Sequence, residues 1–99
     1  MKTYKIEFIV AAQREWNKLG GDIRNQFAKK LQQRLTEPRV PSARLRELPD
    51  CYKIKLRSAG YRLVYRVFDD RIVIQVIAVG KRDKDEAYND AAKRVEREG

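Results

Sequence analysis

Cys51-Tyr52-Lys53-Ile54-Lys55-Leu56-Arg57-Ser58-Ala59-Gly60-Tyr61-Arg62-Leu63-Val64-Tyr65-Arg66-Val67-Phe68 is the stretch whose reading decides the fold. Tyr52, Ile54 and Leu56 alternate with Lys53, Lys55 and Arg57, the period-two pattern of a strand with one apolar and one polar face. Ser58-Ala59-Gly60 makes a turn, and Tyr61 to Phe68 returns as a second strand. Asp69-Asp70 turns the chain again. Ile72 to Val79 is apolar on both faces, which suits a central strand covered on both sides. These three strands are expected to form an antiparallel meander.

Upstream, Tyr4, Ile6 and Phe8 alternate with Lys5, Glu7 and Ile9 and predict a first strand. The period then changes. Ala12, Trp16 and Leu19 recur at helical spacing until Gly20-Gly21 stops the helix, and Asp22 can cap a second helix with the stripe Ile23, Phe27, Leu31, Leu35. Pro38 ends that helix, and Pro41 and Pro49 mark a loop carrying Arg39, Arg44 and Arg46. Downstream, Asp83 and Glu86 have the spacing of a capping box for a last helix with the face Tyr88, Ala91, Ala92, Val95. That face is small in area, so the helix is expected to be weakly held and able to detach. The fold class expected is α+β: an antiparallel sheet of about four strands, an N-terminal helix pair on one face and a C-terminal helix, with residues 1–99 as one domain.

Composition narrows the chemistry. One cysteine cannot form an internal disulfide, and with no histidine there is no cluster of soft metal ligands, so no metal and no cofactor are expected. The absence of histidine also removes the commonest general acid and base, leaving Lys, Arg, Tyr and carboxylates to do any catalysis. No stretch approaches the roughly 20 apolar residues of a membrane span, and the N-terminal residues do not resemble a signal peptide. A cytoplasmic protein without a membrane partner is expected.

The net charge of +9 points to a polyanionic partner. Its distribution says where. Residues 1–50 hold 11 basic and 6 acidic side chains, residues 51–82 hold 8 and 2, and residues 83–99 hold 4 and 6. Strand alternation puts Lys53, Lys55 and Arg57 on one face, and Arg62, Val64 and Arg66 of the neighbouring strand point to the same side. Solvated basic residues are common on an open antiparallel face, but like charges side by side cost stability, and an anion accounts for them better. Lys81 and Arg82 follow the last strand, where a phosphate could meet a guanidinium and helix N-terminal amides together, although an exposed turn explains the same residues. Tyr88 has the spacing of a packing residue.

The run from Leu45 to Val67, with Val79-Gly80-Lys81-Arg82 and Tyr88, resembles the RelE family of toxin–antitoxin mRNA interferases. The resemblance covers nearly the whole chain, tightest from Pro49 to Arg66 and from Ile77 to Tyr88. It implies a microbial-RNase-like fold, a ribosome-dependent endoribonuclease that cuts mRNA in the decoding site, and a RelB-like antitoxin that holds it inactive. It also implies catalytic roles for Lys53, Lys55, Arg62, Arg82 and Tyr88, which moves Tyr88 from packing to the site. Arg46, Arg57, Arg66 and Lys81 are the further basic residues expected to meet RNA or ribosome. Glu47 departs from the glycine that close relatives often carry and puts local phosphate attraction at Arg46 in doubt.

RNA can be cut without a metal when its own 2′-hydroxyl attacks the adjacent phosphorus. This needs a base, cations for the phosphorane charge and an acid for the leaving oxygen. Arg62 and Arg82 suit charge stabilisation, and either Tyr88 or Lys55 can serve as the base. Two rivals are a ParE-like toxin that poisons gyrase, and a non-catalytic RNA-binding sheet. The second would display aromatics for stacking, whereas Tyr52 and Tyr65 alternate inward.

Overall fold

A computed structural model describes residues 3–81 and 86–98. Cys51–Leu56 forms the strand β2 and Tyr61–Phe68 the strand β3, paired antiparallel with Tyr52 opposite Tyr65 and Lys55 opposite Arg62. Gly60, at φ 74, lets the chain reverse, and its N–H donates to the Leu56 carbonyl at 2.8 Å. Val73–Lys81 forms β4 on the other side of β3. β4 begins one residue later than its apolar run. Ile72 stands at φ 54 in the preceding turn, a left-handed conformation costly for a β-branched side chain.

Lys5–Phe8 forms β1, and the sheet runs β1-β4-β3-β2. The meander is antiparallel as expected, but β1 lies parallel to β4, with Lys5 opposite Val73 and Phe8 opposite Val76. The cause is the helical crossover between β1 and β2: it returns the chain in its original direction, so β1, β2 and β4 run one way and β3 the other. β4 is thereby central and almost wholly buried along its length.

The crossover consists of α1, Val10–Asn17, and α2, Gly21–Arg34. Leu19 lies buried just beyond α1, and Gly20 is the N-cap of α2 with no side-chain cap bond. Asp22 therefore does not cap α2. It sits in the first turn, where its charge still complements the helix dipole. Ala12, Phe27 and Leu31 bury against Tyr52, Ile54, Leu56, Leu63, Tyr65 and Val67, and Trp16 bridges Phe8 and Phe27 at 5.2 and 6.2 Å between ring centres. The Tyr65 hydroxyl donates to the Pro38 carbonyl at 2.6 Å and accepts from Arg34 at 2.8 Å, which anchors the end of α2 to the sheet.

On the other face, Glu86–Glu98 forms α3 against Cys51, Val64, Ile77 and Ala78. Its buried residues are Ala87, Ala91 and Val95, with Tyr88 only partly buried at their side. The stripe is thus i, i+4, i+8, not the i, i+3, i+4, i+7 expected from Tyr88. The expected cap at Asp83 lies outside the described residues.

Candidate functional site: a basic sheet face beside the last helix

The register of the β2–β3 hairpin builds the centre of the site. Lys53 pairs with Val64 and Lys55 with Arg62, and Arg62 pairs in turn with Gly80 of β4. Lys53, Lys55 and Arg62 are all half-buried, and their strands are held from behind by the buried Ile54, Leu56 and Leu63. The cations are therefore mounted on rigid elements. Their crowding has a measurable consequence: the Lys55 ammonium is pulled below its usual pKa, first by Lys53, then by desolvation, Arg62 and Arg57. Lys55, Leu56, Arg57, Tyr61 and Arg62 line an open cleft of about 410 Å³, wide enough for a nucleotide and walled by cations.

Tyr88 reaches this face from α3. The Arg62 guanidinium lies over its ring, 4.6 Å from the centre, an attraction between cation and π-face. Gly80 makes the approach possible. A Cβ on it would stand 2.9 Å from the Glu86 Cβ and 3.1 Å from the Ala87 backbone nitrogen, so only glycine lets the first turn of α3 lie this close to β4. Beside Tyr88 runs a shallow groove of about 220 Å³ lined by Leu45, Arg46, Glu47, Leu48 and Ala92.

Of the residues singled out in the sequence, Lys53, Lys55, Arg62 and Tyr88 share one surface. Arg57 lies exposed in the β2–β3 turn at the mouth of the cleft, and Arg46 lies at the groove beside Tyr88. Arg66 does not join them. It sits opposite Cys51, four residues beyond Arg62 along β3, with its guanidinium 5.0 Å from the Phe68 ring centre. Lys81 is exposed at the end of β4, opposite Tyr61, and alternation with Gly80 turns it to the side away from α3. Arg82 lies outside the described residues.

Two basic residues of α2 that the sequence does not single out, Lys30 and Arg34, line a depression with Lys53, Lys55 and Arg57 around the outer edge of β2. The signal was there in principle: the α2 stripe fixes which side of the helix faces the sheet, and Lys30 and Arg34 flank Leu31.

A family model described as the ParE toxin of the type II toxin–antitoxin system parDE matches residues 6–86. The mRNA interferase toxin RelE of Escherichia coli K12 is 52% identical over 92 residues, which cover 93% of this chain and 97% of that protein. The chain belongs to the RelE/ParE family of toxins. Among solved members, a mutant of E. coli RelE in the free state superposes with a TM-score of 0.86 at 51% identity, over 93% of this chain and 97% of that one. RelE in the intact E. coli RelBE toxin–antitoxin complex superposes at 0.77 with 54% identity, over 79% of this chain and 95% of that one. The α+β architecture of helix pair, four-stranded sheet and closing helix is that of the RelE structures.

Proposed function

We propose that this chain is the toxin of a type II toxin–antitoxin pair and acts as an mRNA interferase, a metal-independent endoribonuclease that cuts mRNA in the ribosomal A site and so stops translation. Residues 1–99 act in this reading as one domain, in the cytoplasm, restrained by a RelB-like antitoxin. No helix among the described residues is long and apolar enough to cross a membrane. The observation that carries the reading is the meeting of Lys53, Lys55, Arg62 and the Tyr88 ring on one rigid face of a chain without histidine.

The chemistry follows from what those groups can do. The 2′-hydroxyl of the nucleotide before the cut gives its proton to the base and attacks the adjacent phosphorus, the bond to the 5′-oxygen breaks, and that oxygen takes a proton from water, leaving a cyclic phosphate and a free 5′-hydroxyl. Arg62 stays protonated and stabilises the phosphorane charge, with Arg82 assigned the same role from the family resemblance. Lys55, with its pKa lowered by Lys53, can release its proton and take one from the 2′-hydroxyl near neutral pH more readily than an isolated lysine. Tyr88 is the other group able to act as base. The ribosome supplies what the open cleft lacks, a fixed path for the mRNA that brings the 2′-oxygen in line.

Purified protein added to programmed ribosomes is expected to cut mRNA in the A site, leaving a 2′,3′-cyclic phosphate, and to cut naked RNA slowly. Rapid cutting of naked RNA overturns the ribosome-dependent reading. The pH–rate profiles of Lys55→Met and Tyr88→Phe identify the base, because only loss of the base removes the ascending limb. The ParE name of the family model brings a gyrase-poisoning alternative, which the same preparation tests: an unchanged supercoiling rate is expected, and inhibition of gyrase would favour the rival.

A further inference from the structure

β4 outruns β1. Their parallel pairing ends at Phe8 and Val76, and beyond that point the backbone groups of β4 on the β1 side have no strand beside them among the described residues. A pair of side chains meets them instead. Glu15 of α1 accepts the Val79 N–H through Oε1 at 3.1 Å, and Arg94 of α3 donates from Nη1 to the Ile77 carbonyl at 2.7 Å. The two then close on each other in a fork, Nη1 to Oε1 at 2.9 Å and Nη2 to Oε2 at 3.0 Å. Their side chains are only 20% and 25% exposed, so the contact is shielded from solvent screening far better than a surface ion pair.

This pair matters because α3 has little else to orient it. Among the described side chains its buried residues are two alanines and a valine, which bring much less apolar area than the Phe27 and Leu31 of α2. Such a face holds a helix against the sheet but allows it to roll or slide. Arg94 removes that freedom at one end, and the close approach at Gly80 removes it at the other. Tyr88 lies between the two constraints, about 9 Å along the helix from Arg94.

We propose that Glu15 and Arg94 are positioning residues for RNA cleavage: by filling the open edge of β4 they set the angle of α3 and keep the Tyr88 ring on Arg62. The inference rests on the interferase reading above. Among the described residues neither touches the basic face, so they act there through Tyr88.

The test is single-turnover cleavage on programmed ribosomes, with toxin titrated to saturation and each rate divided by the folded fraction from circular dichroism. Glu15→Gln keeps an oxygen for the Val79 N–H and loses the ion pair. It is expected to lower the saturated rate about tenfold, as small misplacements of catalytic groups do, with the half-saturating concentration changed less than twofold. Arg94→Gln should do the same, and Arg94→Lys should recover part of the loss. The decisive arm is the Tyr88→Ala background, in which Glu15→Gln is expected to cost nothing further. An unchanged saturated rate in Glu15→Gln, or a full additional loss on top of Tyr88→Ala, overturns the proposal while leaving the interferase reading intact. Failure of the folded wild-type protein to cut ribosomal mRNA overturns that reading, and the proposal with it.

Discussion

The Arg62 guanidinium lies 4.6 Å from the centre of the Tyr88 ring, joining the middle of the sheet to the last helix. A flat, delocalised cation can cover an aromatic face while its edge N–H groups stay directed elsewhere. A lysine ammonium is a point charge and does neither as well. Arg62→Lys keeps the formal charge of the face, so ribosome affinity is expected to fall less than threefold while the cleavage rate at saturation falls by about tenfold or more. Toxin titrations on programmed ribosomes measure both quantities, and equal changes would mean that Arg62 contributes charge alone.

Gly80→Ala is expected to damage the site without damaging the core. The new methyl would stand 2.9 Å from Glu86 Cβ and 3.1 Å from a backbone nitrogen, so the first turn of α3 must back away from β4 and carry Tyr88 with it. Overpacking of this kind costs about 1–3 kcal/mol. A lowered Tm, together with amide chemical-shift changes concentrated in residues 86–95 and 62–64, checks the direction of the strain.

The hairpin from Cys51 to Phe68 was legible because alternation and a glycine turn are local, and they place Lys53, Lys55 and Arg62 on one side with no knowledge of the rest of the chain. The buried side was equally plain: Tyr52, Ile54, Leu56 and Tyr65 bury as their spacing predicts. Three things were not legible, each for a tertiary reason. The parallel placement of β1 depends on the direction in which the helical crossover returns the chain to the sheet. The face of α3 shifted because Ala87, which says little by itself, fits beneath the close approach that Gly80 allows, and Tyr88 is displaced to the rim. The pairing of Glu15 with Arg94 has no local signal, since nothing local shows that β1 stops short and leaves Ile77 and Val79 to be satisfied by side chains.

Lys53→Gln should return the Lys55 ammonium towards its ordinary pKa, because Lys53 is the largest cause of its depression. Between the depressed native pKa and the ordinary unfolded one, the unfolded chain holds the proton more tightly, so stability rises with pH across that window. The crowding is therefore felt below the native pKa and relieved above it. Removal of Lys53 is expected to flatten that rise and to stabilise the fold at neutral pH slightly, by roughly 0.5 kcal/mol or less, while cleavage slows. Lysine side-chain NMR titration and pH-dependent melts read the two effects. A Lys55 pKa unmoved by Lys53→Gln would show that desolvation is the main cause.

Cys51 is fully buried beneath α3, and burial pushes its thiol up to about 11 from an ordinary value of 9.0, opposed by the Arg66 charge and aided by Asp50. At pH 8 only about one native thiol in a thousand is then ionised, and the thiolate is the reactive form. Reaction with Ellman's reagent is thus expected to proceed at the rate of unfolding, or of detachment of α3 if that comes first, and to be independent of reagent concentration. Glu15→Gln separates the two routes: a large acceleration without a matching loss of Tm means that the helix lifts from an otherwise folded sheet. The same burial fixes a pH signature. The unfolded thiol loses its proton first as pH rises, so stability falls from about pH 9 towards 11, and Cys51→Ala should remove that part of the slope. A slope that persists in Cys51→Ala would assign the alkaline loss to another group whose native pKa is raised, such as Tyr65, pushed up by burial.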